Sequence, residues 1–149
     1  MPKLNSTLAP LPQAAMQQQL TTLEGFNILV VEDDEDMLLL IATILEQSGA
    51  TVTAVGSAIP ALQALQVQPQ SYNLLLSDLG MPEIDGWSLI RQVRALPAEA
   101  GGKIPAIALT AYSSKRDREI SQFYGFQLLL SKPIEPTQLV ANIAELIGT

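Results

Sequence analysis

An alternation constrains this chain more than any other feature. Five short apolar runs, each followed by a segment punctuated like a helix, repeat between Asn27 and Ile147. The run 28–31 leads into the acidic residues Glu32, Asp33, Asp34, Glu35 and Asp36, then into a helical stretch to Gln47 with Gly49 placed to cap it. Residues 51–55 alternate as a strand, Ser57 stands as an N-cap, and Pro60 is tolerated in the first turn of a helix to about Val67. A buried strand over 72–77 ends at Asp78, and Gly80, Pro82, Asp85 and Gly86 mark the loop before a helix over 87–96. A fourth strand over 104–109 ends at Thr110, and Ser113 or Ser114 caps a helix stopping near Gly125. The fifth strand, 127–130, runs into Lys132-Pro133, and Pro136 opens a last helix through Ile147. Such alternation specifies a parallel sheet with helices on both faces, an α/β three-layer, doubly wound, five-stranded fold. The leucine triplets at 74–76 and 128–130 suit strands buried on both sides.

Outside this pattern lie residues 1–25, rich in Gln and Pro, which read as a linker or disordered segment with some helical character over 14–23. Residues 26–149 then form one domain, long enough to bury a core.

Composition removes whole classes of chemistry. The chain has no cysteine and no histidine, so disulfides, thiolate catalysis, Ser-His-Asp triads and His-ligated zinc are out of reach. A net charge of −7 argues against a direct grip on nucleic acid. The longest apolar run, 37–42, falls far short of the roughly 20 residues that span a bilayer. No basic start followed by an apolar stretch marks a secretion signal. A cytoplasmic domain without membrane contact is expected.

The remaining polar candidates share one location. Ligands of open α/β sheets bind beyond the carboxyl ends of the strands. Strand one ends in Glu32 and Asp33, strand three in Asp78, strand four in Thr110, and strand five just before Lys132. Crowded carboxylates repel, so at least one should have a raised pKa unless a cation is present. A hard divalent ion, Mg²⁺ or Mn²⁺, relieves this through oxygen ligands. Lys132 adds a point positive charge and Thr110 a hydroxyl donor. The set suits transfer of an anion to a carboxylate nucleophile.

Four segments carry a family resemblance: ILVVEDDED (28–36), LLLSDLGMPEIDG (74–86), IPAIALTAY (104–112) and LLLSKP (128–133). In this order and spacing they resemble the receiver domains of bacterial two-component response regulators, over residues 27–148. The resemblance implies a flavodoxin-like strand order 2-1-3-4-5, with Asp78 as phosphoacceptor. It also implies metal ligation by Asp33 directly, by Glu32 through water, by Asp78 and by the Gly80 backbone carbonyl. Thr110 and Lys132 match the family's hydroxyl and lysine, and the Lys132–Pro133 bond is expected to be cis. The implied partners are a histidine kinase or a histidine phosphotransfer domain, with dimerisation dependent on phosphorylation. The domain would be a phosphorylation switch with weak self-catalysed transfer and hydrolysis, not a metabolic enzyme.

SDLGMPEIDGW, ALTAY and GFQLLLSKPIEP look closest to receivers at the C-terminus of hybrid sensor histidine kinases, with a stand-alone regulator as the alternative. No output module is expected after Thr149. One departure is Leu129, three residues before Lys132, where the family often carries Tyr or Phe.

Other readings weigh less. An EF-hand lacks its glycine at the sixth loop position and its glutamate at the twelfth. A Mg²⁺-dependent phosphatase would carry a second acid where Gly80 stands, and an inert docking module would be expected to lose Asp78, Asp33 or Lys132. Glu35 and Asp36 suit a solvated helix start. Trp87 should pack at the start of helix three. On helix one, Met37, Leu40, Ile41, Ile44 and Leu45 are expected in the core. Leu38, Leu39 and Ala42 are left as an apolar patch, either for docking a helical phosphodonor or for cover by the N-terminal segment.

Overall fold

The computed structural model describes residues 22–81, 85–111 and 115–148. The expectations for Pro82, for Ser113 or Ser114 as a cap, and for a helix over 14–21 lie outside those residues. The elements alternate as β1 (Asn27–Val31), α1 (Glu35–Gln47), β2 (Thr51–Val55), α2 (Ala58–Val67), β3 (Leu74–Asp78) and α3 (Gly86–Arg94). A single 3₁₀ turn, Ala98–Ala100, precedes β4 (Ala106–Thr110), α4 (Lys115–Tyr124), β5 (Leu128–Ser131) and α5 (Pro136–Ile147). All pairings are parallel and the sheet order is β2-β1-β3-β4-β5.

Successive strand residues face opposite sides, and here both sides are covered. Leu29, Val31, Leu75, Ala106, Ala108 and Leu129 pack with Leu65, Leu89, Ile90 and Val93 on the side of α2 and α3. Ile28, Val30, Leu74, Leu76, Ile107 and Leu109 pack with Ile41, Leu45, Leu139 and Ile143 on the side of α1 and α5. The continuous apolar strands of the sequence are therefore the middle layer of a sandwich. At the sheet edge β2 keeps Thr51 and Ala54 exposed. Gly49 adopts φ +100° just past α1, the left-handed conformation of a helix terminator. Among the described residues, no helix is long and apolar enough to cross a membrane.

Three expectations need correction. On α1, Leu40 is 47% exposed, while Leu38 is partly buried against the α1–α5 core. At 100° per residue, positions 37, 38, 41, 44 and 45 fall within about 60° of Ile41, but Leu40 lies about 100° away. The apolar residues that α1 presents outward are thus Leu39, at 68% exposure, and Leu40. The packed unit also begins before residue 26, because Leu23 is fully buried and its N–H donates to the Ser48 carbonyl at 2.7 Å. The sheet bounds shift too: β3 starts at Leu74, β4 at Ala106 and β5 at Leu128, and α3 ends at Arg94.

Arg94 closes one corner of the fold. Its Nε and Nη2 donate to the Gly125 carbonyl at 3.0 and 2.7 Å, and Nη1 donates to the Gly102 carbonyl at 2.9 Å. The end of α3 is thereby tied to the loop before β4 and to the turn after α4. Burial pulls the Arg94 pKa down from its ordinary value. Trp87 packs as expected, its ring 5.4 Å from Tyr124 and 6.4 Å from Phe126.

Candidate functional site

The parallel register brings the strand ends to one edge. Val31 pairs with Val55 and Ser77, Asp78 with Leu109, and Thr110 with Ser131. Backbone bonds extend the ladder one residue further: Glu32 N–H donates to the Val55 carbonyl at 3.1 Å, and Lys132 N–H to the Thr110 carbonyl at 2.7 Å. Glu32 and Lys132 are thus fixed by the sheet, although neither belongs to a strand. The next turn starts α1, where Asp34 Oδ1 accepts from the N–H groups of Asp36 at 2.9 Å and Met37 at 3.1 Å. Asp34 is therefore the N-cap, with Glu35 and Asp36 in the first turn as expected of a solvated helix start.

On this edge the side chains converge. Lys132 Nζ donates to Glu32 Oε1 at 2.9 Å and lies 3.2 Å from Asp78 Oδ1. Glu32 Oε2 accepts from the Asp34 N–H at 3.1 Å. Glu32 is 1% exposed and Asp78 6%, whereas Asp33 faces solvent. Each of Glu32, Asp33 and Asp78 offers an oxygen, all within 4.8 Å of one another. Oxygens bound directly to one Mg²⁺ lie at most about 4.2 Å apart, twice its preferred ligand distance. The observed span therefore fits one small hard cation, with either a slight inward rotation or one carboxylate reached through water.

Burial is the largest influence on Glu32 and raises its pKa. The Lys132 hydrogen bond and the Asp34 N–H oppose that rise, while the Asp78 charge adds to it. A raised carboxylate was expected from repulsion, but desolvation dominates here. Burial alone would lower the Lys132 ammonium. Its hydrogen bond to Glu32 and the charges of Asp78 and Glu32 more than offset this, so Lys132 stands above its ordinary value.

Thr110 is buried and lines an open cleft of about 430 Å³, together with Leu79, Gly80, Met81, Asp85 and Trp87. Gly80 is exposed, and a Cβ there would meet nothing within 4 Å. Gly86, in contrast, has no room for a side chain. A Cβ there would come 2.5 Å from the Asp78 carbonyl and 2.8 Å from Leu79 Cα. The Gly86 N–H donates to the Leu79 carbonyl at 3.0 Å, and Asp85 Oδ1 caps α3 by accepting from the Ser88 N–H at 2.9 Å. The Lys132–Pro133 bond is cis, as expected. Sequence reasoning missed the Glu32–Lys132 ion pair, since two residues a hundred positions apart carry no local signal of pairing.

The response regulator receiver domain family matches residues 28–144. A protein of Leptolyngbya boryana, named "Uncharacterized 14.6 kDa protein in sodA1 3′region", is 44% identical over 124 residues, 83% of this chain and 92% of that protein. The sensor histidine kinase GacS of Pseudomonas protegens is 33% identical over 151 residues, which cover 98% of this chain but 16% of the kinase. Among solved structures, the receiver domain of a sensor histidine kinase from Pseudomonas aeruginosa, with a magnesium ion in its active-site cleft, is 34% identical. It superposes with a TM-score of 0.74 over 84% of this chain and 99% of that domain.

Proposed function

This chain belongs to the response regulator receiver domain family of two-component signalling, and from that premise we propose that it accepts a phosphoryl group on Asp78 from a phosphohistidine. The donor is a histidine kinase or histidine phosphotransfer domain in the cytoplasm. The observation that carries this reading is the buried pair Glu32 and Asp78 sharing one ammonium, with a third carboxylate close enough to share a cation.

Glu32, Asp33, Asp78 and the Gly80 carbonyl would hold Mg²⁺ or Mn²⁺, which supplies positive charge for the incoming phosphoryl oxygens. In the transfer, an Asp78 carboxylate oxygen attacks phosphorus and the P–N bond breaks. The electron pair stays on the donor imidazole, leaving an acyl phosphate on Asp78. Lys132, kept protonated by its neighbours, balances the added negative charge from the Asp78 side. Thr110, whose hydroxyl can donate to a phosphoryl oxygen, responds to the new anion. Hydrolysis later returns Asp78 to a carboxylate and releases inorganic phosphate. The cycle is that of a switch.

Leu39 and Leu40, exposed one to two turns along α1 from the acidic cluster, suit an apolar contact with the donor's helices. Leu39→Asp or Leu40→Asp should slow transfer from a protein donor and leave transfer from acetyl phosphate unchanged. The alignment with the Pseudomonas protegens kinase covers nearly the whole chain, including residues before the domain, which favours a receiver attached to a hybrid kinase. The coding sequence upstream tests that placement. Intact mass after treatment with acetyl phosphate and Mg²⁺ tests the function. One added phosphate is expected, absent without metal and in Asp78→Asn, and no added mass would end the proposal.

A further inference from the structure

Thr110 reaches the cleft beside Asp78, yet Leu129, beneath it on the α2–α3 face, is a buried aliphatic side chain with no ring to reorient. Among the described residues that line the cleft, Trp87 is the one aromatic. Two features connect it to the phosphoacceptor. Gly86, the preceding residue, rests against the Asp78 carbonyl, and its N–H donates to the Leu79 carbonyl at 3.0 Å. The Trp87 ring also borders the open space that Thr110 shares, so it has room for a second arrangement.

Beyond Trp87 the rings continue. Tyr124 lies 5.4 Å from Trp87 and 5.7 Å from Phe123, with the Arg91 guanidinium 5.9 Å from the Tyr124 centroid. Phe123 is 86% exposed on α4. A chain of touching rings therefore runs from the Thr110 cleft to the outer surface of α4.

Resting on the proposed phosphorylation of Asp78, we propose that Trp87 is the positioning residue that carries the state of Asp78 to α4, through Tyr124 to Phe123. A phosphoryl group on Asp78 draws the Thr110 hydroxyl toward a strong acceptor. Movement there reshapes the cleft that Trp87 borders. The Trp87 ring then repacks against Tyr124, and the position of Phe123 changes at the surface. Discrete repacking of this kind is what a densely packed interior permits, since small shifts resolve into alternative arrangements.

The chain's one tryptophan and lack of cysteine make this directly measurable. Acetyl phosphate and Mg²⁺ are added to the protein and to Phe123→Cys carrying an environment-sensitive dye, with intact mass recorded in parallel. The expected result is a shift in Trp87 emission and acrylamide quenching, together with a shift in dye emission, both rising with the phosphorylated fraction. In Tyr124→Leu combined with Phe123→Cys, the tryptophan shift should persist and the dye shift should be lost. Trp87→Leu should lose the dye shift while still gaining the phosphate mass. A complete mass change with silent Trp87, or a dye shift that survives in Trp87→Leu, overturns the relay alone. No mass change removes the phosphoacceptor reading and the relay with it.

Discussion

Replacing Lys132 by Met should destabilise the metal-free protein by about 2–3 kcal/mol at neutral pH. The substitution keeps an unbranched apolar stem and deletes the ammonium that stands 2.9 Å from Glu32 Oε1 and 3.2 Å from Asp78 Oδ1. Breaking a buried ion pair by removing one partner costs about 3–5 kcal/mol, because a charge is left without its countercharge. The Lys132 side chain is 21% exposed, so water lowers that cost. Glu32 keeps one hydrogen bond, from the Asp34 N–H, but loses its cationic partner. The pH dependence follows from the sign of its shift. A carboxyl raised in the folded state contributes stability that is full below its unfolded value of 4.5 and lost as pH rises through the folded value. Without Lys132 the rise is larger, so the deficit should be greatest at neutral pH and shrink toward pH 5 or below. Mg²⁺ should reverse it, since a cation among the same oxygens replaces the missing charge. Urea and thermal unfolding in EDTA and in saturating Mg²⁺ make the comparison, with a drop in Tm of about 5–10 °C expected in EDTA. Unchanged stability in EDTA at neutral pH, or a deficit that ignores both pH and Mg²⁺, would refute the assignment of Lys132 as countercharge.

Other substitutions separate the site from its scaffold. Asp33→Asn should weaken Mg²⁺ binding about tenfold or more, by isothermal titration, while leaving stability within about 0.5 kcal/mol because Asp33 is exposed. Gly86→Ala should lower stability by about 2 kcal/mol and slow phosphorylation by acetyl phosphate, because its Cβ would press on the Asp78 carbonyl and Leu79 Cα. Arg94→Met should cost about 2–3 kcal/mol in urea unfolding by orphaning the Gly125 and Gly102 carbonyls, with Mg²⁺ affinity unchanged.

The fold was legible because every strand carries its own signal. Ile28–Val31, Leu74–Leu76 and Ala106–Leu109 are apolar at consecutive positions, which only a doubly covered sheet accommodates. The place of the site was legible for a related reason, since parallel strands deliver their C-terminal residues to one edge, and Glu32, Asp78, Thr110 and Lys132 all follow from that rule. Helical phase was harder. Leu40 lies at a spacing of four from Ile44 and reads as core, yet the buried stripe is centred on Ile41 and leaves it outside. Arg94 gave no sign at all, because its carbonyl partners lie 8 and 31 residues away and belong to backbone that any sequence would present. Gly86 looked like an ordinary loop glycine. Its constraint is contact with the Asp78 carbonyl and Leu79, visible only once β3 and α3 are folded together.

Chemical trapping of the phosphorylated residue tests the centre of this scheme most directly. Borohydride reduces an acyl phosphate to the alcohol, so protein treated with acetyl phosphate and Mg²⁺, then reduced and digested, should yield homoserine at position 78 and at no other acidic residue. Homoserine at Asp33 or Asp85, 2-amino-5-hydroxypentanoic acid at Glu32, or a phosphoryl group that resists borohydride and maps to a hydroxyl side chain, would contradict the assignment of Asp78.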